Sequence, residues 1–170
     1  MNSIERRDDI VKLLLDSFSP IKGTDIAERY NVTRQVIVRD IAILRAKGIN
    51  IMATPDGYIV NRNDGKVKKI IAVNHKECEM FEEMSTVIKY GGTIEDVIVE
   101  HPLYGEIKGV LMVKNLNELN KFINKYKNQK GRLLSVLTNG VHLHTIAADT
   151  NEDIEAIIAE LKAKNFLVSD

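Results

Sequence analysis

Tryptophan is absent from this 170-residue chain, and cysteine occurs once, proline three times and histidine four times. The lone thiol, Cys78, cannot close an internal disulfide, so the fold must stand on its core, and a reducing, cytoplasmic compartment is expected. Long apolar runs are also missing. None approaches the ~18 residues a bilayer-spanning helix needs, so no membrane partner is expected. The opening MNSIERRDDIVKLLL mixes acids with bases, lacks a small-residue cleavage site and does not read as a signal peptide. Neither sign of charge is in excess: 24 Lys and Arg balance 24 Asp and Glu, which argues against a non-specific coat for nucleic acid. What remains, 44% hydrophobic and 28% charged residues, is the make-up of an ordinary globular chain, long enough for one domain or two small ones.

The polar, turn-prone stretch NRNDGK at 61–66 separates two segments of different patterning, and a domain boundary is expected there, giving units 1–62 and 63–170. The first unit holds 10 Lys or Arg and 8 Asp or Glu, a net of +2. Its apolar spacing predicts three helices and a hairpin. Ile4, Val11, Leu14, Leu15 and Phe18 form a stripe on the first helix. Thr24 is placed to cap a short second helix, and Thr33 to cap a third that buries Ile37, Ile41 and Leu44 before stopping at Gly48. INIMATPDGYIV then reads as strand, Pro-Asp-Gly turn, strand. The second unit alternates: strands over KKIIAV, IEDVIVE, IKGVLMV, LLSVL, VHLHTIAA and FLV, with helices over 76–92, 116–128 and 151–165, the last capped by Asn151. The fold class expected is α+β: a winged helix-turn-helix followed by a compact domain with a mixed sheet and helices.

The third helix carries Arg34, Gln35, Arg39, Arg45 and Lys47 against one acid, Asp40. Arg34, Gln35, Val38 and Arg39 lie off the Ile37/Ile41/Leu44 face and should meet solvent. Arginine pairs in bidentate fashion with guanine and glutamine with adenine, while Thr33 at the helix N-terminus suits a phosphate. Exposed arginines often do no more than solvate a helix. The capped helix, the basic face and the adjacent hairpin together point to double-stranded DNA. The stretch GTDIAERYNVTRQVIVRDIAILRAKGINI also resembles the winged helix of bacterial regulators of the biotin-repressor type, through Val32-Thr33-Arg34-Gln35 and Arg39-Asp40-Ile41…Leu44-Arg45…Gly48.

All four histidines, His75, His101, His142 and His144, fall in the second unit. In a strand, residues two apart share a face, so His142 and His144 project together. Burying two imidazoles there costs free energy unless something satisfies them, and imidazole suits transition metals. His75 ends one strand and His101 another, positions where a single histidine is usually a hydrogen-bonded rim residue. The helix after His75 offers Glu77, Glu79, Glu82 and Glu83, of which Glu79 is the nearer in sequence; geometry alone does not choose among them.

Taken with the winged helix, the motifs Val73-Asn74-His75, Glu100-His101-Pro102-Leu103-Tyr104-Gly105 and Gly140-Val141-His142-Leu143-His144-Thr145 resemble the three-histidine (3H) family, the niacin-responsive repressors of NAD biosynthesis and niacin uptake. The resemblance implies one nickel or zinc ion per chain on His75, Glu83, His142 and His144, with His101 and Tyr104 as effector contacts. It also implies a homodimer on a palindromic operator, with nicotinic acid as co-repressor. The expected activity is therefore sensing and not catalysis. Two rivals share the same residues: a regulator for which the metal itself is the signal, and a metal-dependent hydrolase in which the ion activates water.

Overall fold

The structure, a computed structural model, describes residues 2–62, 65–129 and 131–168. The chain divides into two compact units, Met1–Asn63 and Asp64–Asp170.

In the first unit, helix α1 (Ser3–Asp16) opens on a capping box. Asn2 accepts the N–H groups of Ile4 and Glu5, and the Glu5 carboxylate accepts that of Asn2. The predicted stripe is only partly the buried one. Ile10 and Leu14 are fully buried, whereas Ile4, Leu15 and Phe18 are 61%, 47% and 81% exposed. At about 100° per residue, Ile4 and Leu15 sit roughly a third of a turn away from Ile10, and Phe18 lies beyond the helix end, under the guanidinium of Arg62. Helix α2 (Gly23–Arg29) begins one residue before Thr24, so Lys22 and not Thr24 is its N-cap, and the Thr24 hydroxyl instead donates to Asp25.

Helix α3 (Arg34–Ala46) starts as read, with Thr33 accepting the Val36 N–H, and buries Ile37, Ile41 and Leu44. Gly48 follows with φ of 90°, the left-handed exit a side chain resists. Strands β1 (Ile51–Thr54) and β2 (Gly57–Val60) pair across the Pro55-Asp56 turn to form the wing. The wing is tied down through Ile21, which exchanges backbone hydrogen bonds with Tyr58. Gly57 has φ of 136°, and a Cβ there would lie 2.2 Å from the Ile21 carbonyl oxygen. Gly57→Ala should therefore lower stability by about 2 kcal/mol or more. Urea unfolding checks this; an unchanged midpoint would mean that the wing does not pack on the Ile21 segment.

The second unit contains β3 (Val67–Asn74), a 3-10 turn (Glu77–Glu79), α4 (Met80–Lys89), β4 (Thr93–His101), β5 (Gly105–Val113), α5 (Leu116–Gln129), a second 3-10 helix (Leu134–Thr138), β6 (Val141–Ala148) and α6 (Asn151–Ala163). The α+β class stands, with the refinement that every pairing in the sheet, ordered β3-β6-β4-β5, is antiparallel. Four local readings change. LLSVL coils into the second 3-10 helix instead of extending, and FLV reduces to a bridge between Leu167 and Val73. The predicted helix over 76–92 splits into the 3-10 turn and α4. Thr150, which accepts the Asp153 N–H, caps α6, and Asn151 is its first helical residue. One face of the sheet packs Ile71, Val73, Ile94 and Ile146 against Met84 and Val87 of α4, Leu119 of α5, and Ile154, Ile157 and Leu161 of α6.

Candidate metal centre and DNA-reading helix

Register brings the histidines together. Antiparallel pairing sets His142 opposite Val73 and His144 opposite Ile71, so the imidazoles stand beside the end of β3, where His75 follows Asn74. Helix α4 covers that face and points Glu83 into it, fully buried. The rings of His142 and His144 lie edge to face at 4.7 Å, and those of His75 and His142 at 5.0 Å.

The hydrogen bonds fix the chemistry of the three rings. Nδ1 of His75 donates to the Lys76 carbonyl, that of His142 to Gly140, both at 2.8 Å, and that of His144 to Asp96 at 2.5 Å. A carbonyl oxygen only accepts, so each Nδ1 carries the hydrogen and each Nε2 presents a lone pair. Those lone pairs converge. Nε2 of His142 and His144 are 3.1 Å apart, and Oε2 of Glu83 lies 3.8 Å from His144 Nε2 and 3.9 Å from His75 Nε2. His75 Nε2 and both Glu83 oxygens are buried without a hydrogen-bond partner.

Three lone pairs and a carboxyl facing one another require a shared cation, either protons or a metal. Protons fit poorly on the imidazoles: burial, with the neighbouring imidazoles adding to it at His142, lowers both His142 and His144 to about 4. Burial instead raises Glu83 to about 7, against a smaller pull downwards from His75, so near neutrality a proton on this carboxyl is what a metal would displace. Neutral imidazoles with one nitrogen anchored and the other free are the form that ligates a metal. Among the described residues no three such side chains already stand at ion-ligating positions, since His142 and His144 crowd each other while Glu83 stands back. The donor set fits a transition metal; a finished coordination shell is not what makes the case.

Glu79, the nearer acid in sequence, is occupied elsewhere, its carboxylate accepting the Lys76 N–H at 2.7 Å. His101 and Tyr104 are not brought to the cluster. They stand at the β4–β5 turn, where His101 Nδ1 accepts the N–H groups of Leu103 and Tyr104, so its hydrogen sits on Nε2, the reverse of the other three. Tyr104 packs its ring near that of His101 and is 72% exposed. The cavity that does adjoin the three histidines is lined by Met84, Val97, Leu111, Phe122, Leu134 and Ser135. Sequence reading assigned these residues only to helices and strands, because nothing local marks a cavity wall.

In the first unit, Arg34, Gln35, Val38 and Arg39 all face solvent along α3, with Thr33 exposed at its start. Asp40, the acid of that helix, is on the opposite side and buried, paired with Arg6 at 2.7 Å and Arg7 at 3.2 Å. The outward face of α3 is thus more purely basic than its sequence suggests.

Residues 68–170 match the 3H domain, and residues 6–59 match a helix-turn-helix (HTH) domain. Over 166 residues the chain is 46% identical to the probable transcription repressor NiaR of Thermotoga maritima, spanning 98% of this chain and 95% of that protein. It is 36% identical over 169 residues to the transcription repressor NadR of Bacillus subtilis, spanning 97% and 94%. The chain belongs to this family of 3H-domain transcription repressors. Both relatives of this repressor are regulators and not enzymes by description, in line with the fused DNA-reading unit. No helix among its described residues is long and apolar enough to cross a membrane.

Proposed function

We propose that this repressor is a cytoplasmic niacin sensor. In this reading His75, Glu83, His142 and His144 hold one nickel or zinc ion, and nicotinic acid binds beside it as co-repressor of genes for NAD biosynthesis or niacin uptake. The observation that carries the reading is the set of convergent, unpartnered Nε2 and carboxylate atoms in a buried site. A bound ion would supply an open coordination position that a pyridine nitrogen can take. The chain's own part is to hold three imidazoles in one tautomer and to exclude water from them with Met84, Phe122 and Leu134.

On DNA, Arg34, Gln35 and Arg39 would read base edges, Thr33 and the α3 N-terminus a phosphate, and a homodimer would match a palindromic operator. Nicotinic acid acts as co-repressor if it binds the DNA-competent state more tightly than the other.

Elemental analysis of the purified protein, followed by calorimetric titration of nicotinate with and without a chelator, tests the proposal. One transition metal per chain and nicotinate binding that is lost on chelation is the expected result. Metal without nicotinate binding would leave a metalloregulator, and no metal even after reconstitution would remove the centre altogether. His142→Ala should abolish metal uptake at about one equivalent; unchanged metal content would make the His142–His144 pair a packing feature.

A further inference from the structure

Two of the three cluster histidines are anchored locally: His75 donates to the next residue's carbonyl and His142 to one two residues back. His144 is different. Its anchor is the carbonyl of Asp96, 48 residues away on the neighbouring strand. That carbonyl is available because the β4–β6 ladder is broken there. Between the pairs Ile94↔Ile146 and Ile98↔Leu143, β4 advances four residues while β6 advances three. The extra residue frees the Asp96 carbonyl from strand pairing and turns it to the imidazole.

The bulge is itself held. The Asp96 side chain is buried, with Oδ1 accepting the Thr145 N–H at 2.8 Å in place of the missing ladder bond. Its Oδ2 pairs with Lys108 of β5 at 2.7 Å. On the far side of β4 the register shifts too: between Ile94↔Val113 and Asp96↔Val110, β5 holds the extra residue, and Met112 takes φ of 55°, a conformation unfavourable for a methionine. A buried acid, two register shifts and a left-handed side-chain residue gather around one carbonyl.

We propose that Asp96 is a positioning residue of the histidine cluster: its bulged carbonyl locks His144 in the Nδ1–H tautomer, and its carboxylate, clamped between Thr145 and Lys108, holds the bulge. This rests on the metal reading above for its consequence, since an imidazole locked in that form presents Nε2 to an ion at no cost in reorientation. The lock itself does not depend on any ion.

The test uses the full chain, labelled with nitrogen-15 and stripped of metal at pH 7.5, where long-range proton–nitrogen spectra report the tautomer of each histidine. His75, His142 and His144 should carry hydrogen on Nδ1, and His101, with the opposite arrangement, is an internal reference. In Asp96→Ala, His144 alone should lose its fixed tautomer, and zinc affinity should fall by about 10- to 100-fold. In Asp96→Asn the amide oxygen still accepts from Thr145, so the His144 signals should persist and zinc affinity should stay within about threefold of wild type. Wild-type His144 protonated on Nε2 would overturn the proposal even if Asp96→Ala did not fold. So would an Asp96→Ala protein with unchanged His144 signals and zinc affinity. A fixed His144 tautomer in a wild-type protein that takes up no zinc would support the positioning role while sinking the metal centre.

Discussion

Glu83→Gln should make the metal-free protein more stable at pH 8 by about 3 kcal/mol, while lowering divalent-metal affinity by at least about 100-fold. The gain follows from where Glu83 sits. It is completely buried, neither oxygen has a hydrogen-bond partner, and burial raises it from 4.5 to about 7. A carboxyl raised in the folded state contributes fully below its unfolded value and loses that contribution as pH climbs through the folded one. At pH 8 wild-type Glu83 is therefore a buried, unpaired anion, whereas glutamine is neutral and its amide can donate to the Nε2 lone pairs of His75 and His144. The stability difference should shrink towards pH 5, where both side chains are uncharged. Urea unfolding in chelator at the two pH values measures it, and equal midpoints at pH 8 would mean that Glu83 is not a lone buried acid. Metal affinity supplies a second reading with its own sign. Binding needs the carboxylate, so below pH 7 wild-type affinity should fall about tenfold per pH unit from this group alone, and the Gln variant should lack that contribution.

Two adjacent residues of α3 should behave in opposite ways. Asp40→Ala should destabilise the N-terminal unit by about 3–5 kcal/mol, because it leaves Arg6 and Arg7 largely buried without their anion. Among the described residues Arg7 Nε already lacks a hydrogen-bond partner, which adds to the cost. Arg39→Ala removes a solvent-facing side chain and should change stability by no more than about 0.5 kcal/mol. Operator affinity, by contrast, should fall for Arg39→Ala by about 1–3 kcal/mol, with nicotinate binding intact. Thermal unfolding and fluorescence anisotropy on labelled operator, run on both variants, separate the two roles. Loss of nicotinate binding in Arg39→Ala would mean that reading and sensing are not divided between the units as argued.

Asp40 also shows where sequence reading runs out. On the sequence it is one acid diluting a basic helix. In the fold it turns inward to α1, a pairing that depends on how two helices separated by more than thirty residues pack. Glu79 and Glu83 repeat the lesson. Spacing could not choose between them, and the choice lies in the 3-10 turn before α4, which spends Glu79 on the Lys76 N–H and rotates Glu83 inward. His101, expected as an effector contact beside the metal, instead has its Nδ1 committed to its own turn.

The sequence by itself determined what depends on residues within a turn or two of one another. The Thr33 cap, the Gly48 exit, the wing turn, the strand that puts His142 and His144 on one face, and the family motifs are all of that kind. Periodicity and capping are local, and local free-energy differences are written in the residues that make them. Only the tertiary structure decided which acid meets the histidines, which histidine stays away, and which carbonyl holds His144. Those choices rest on strand register and on one extra residue in β4, set by the packing of distant segments.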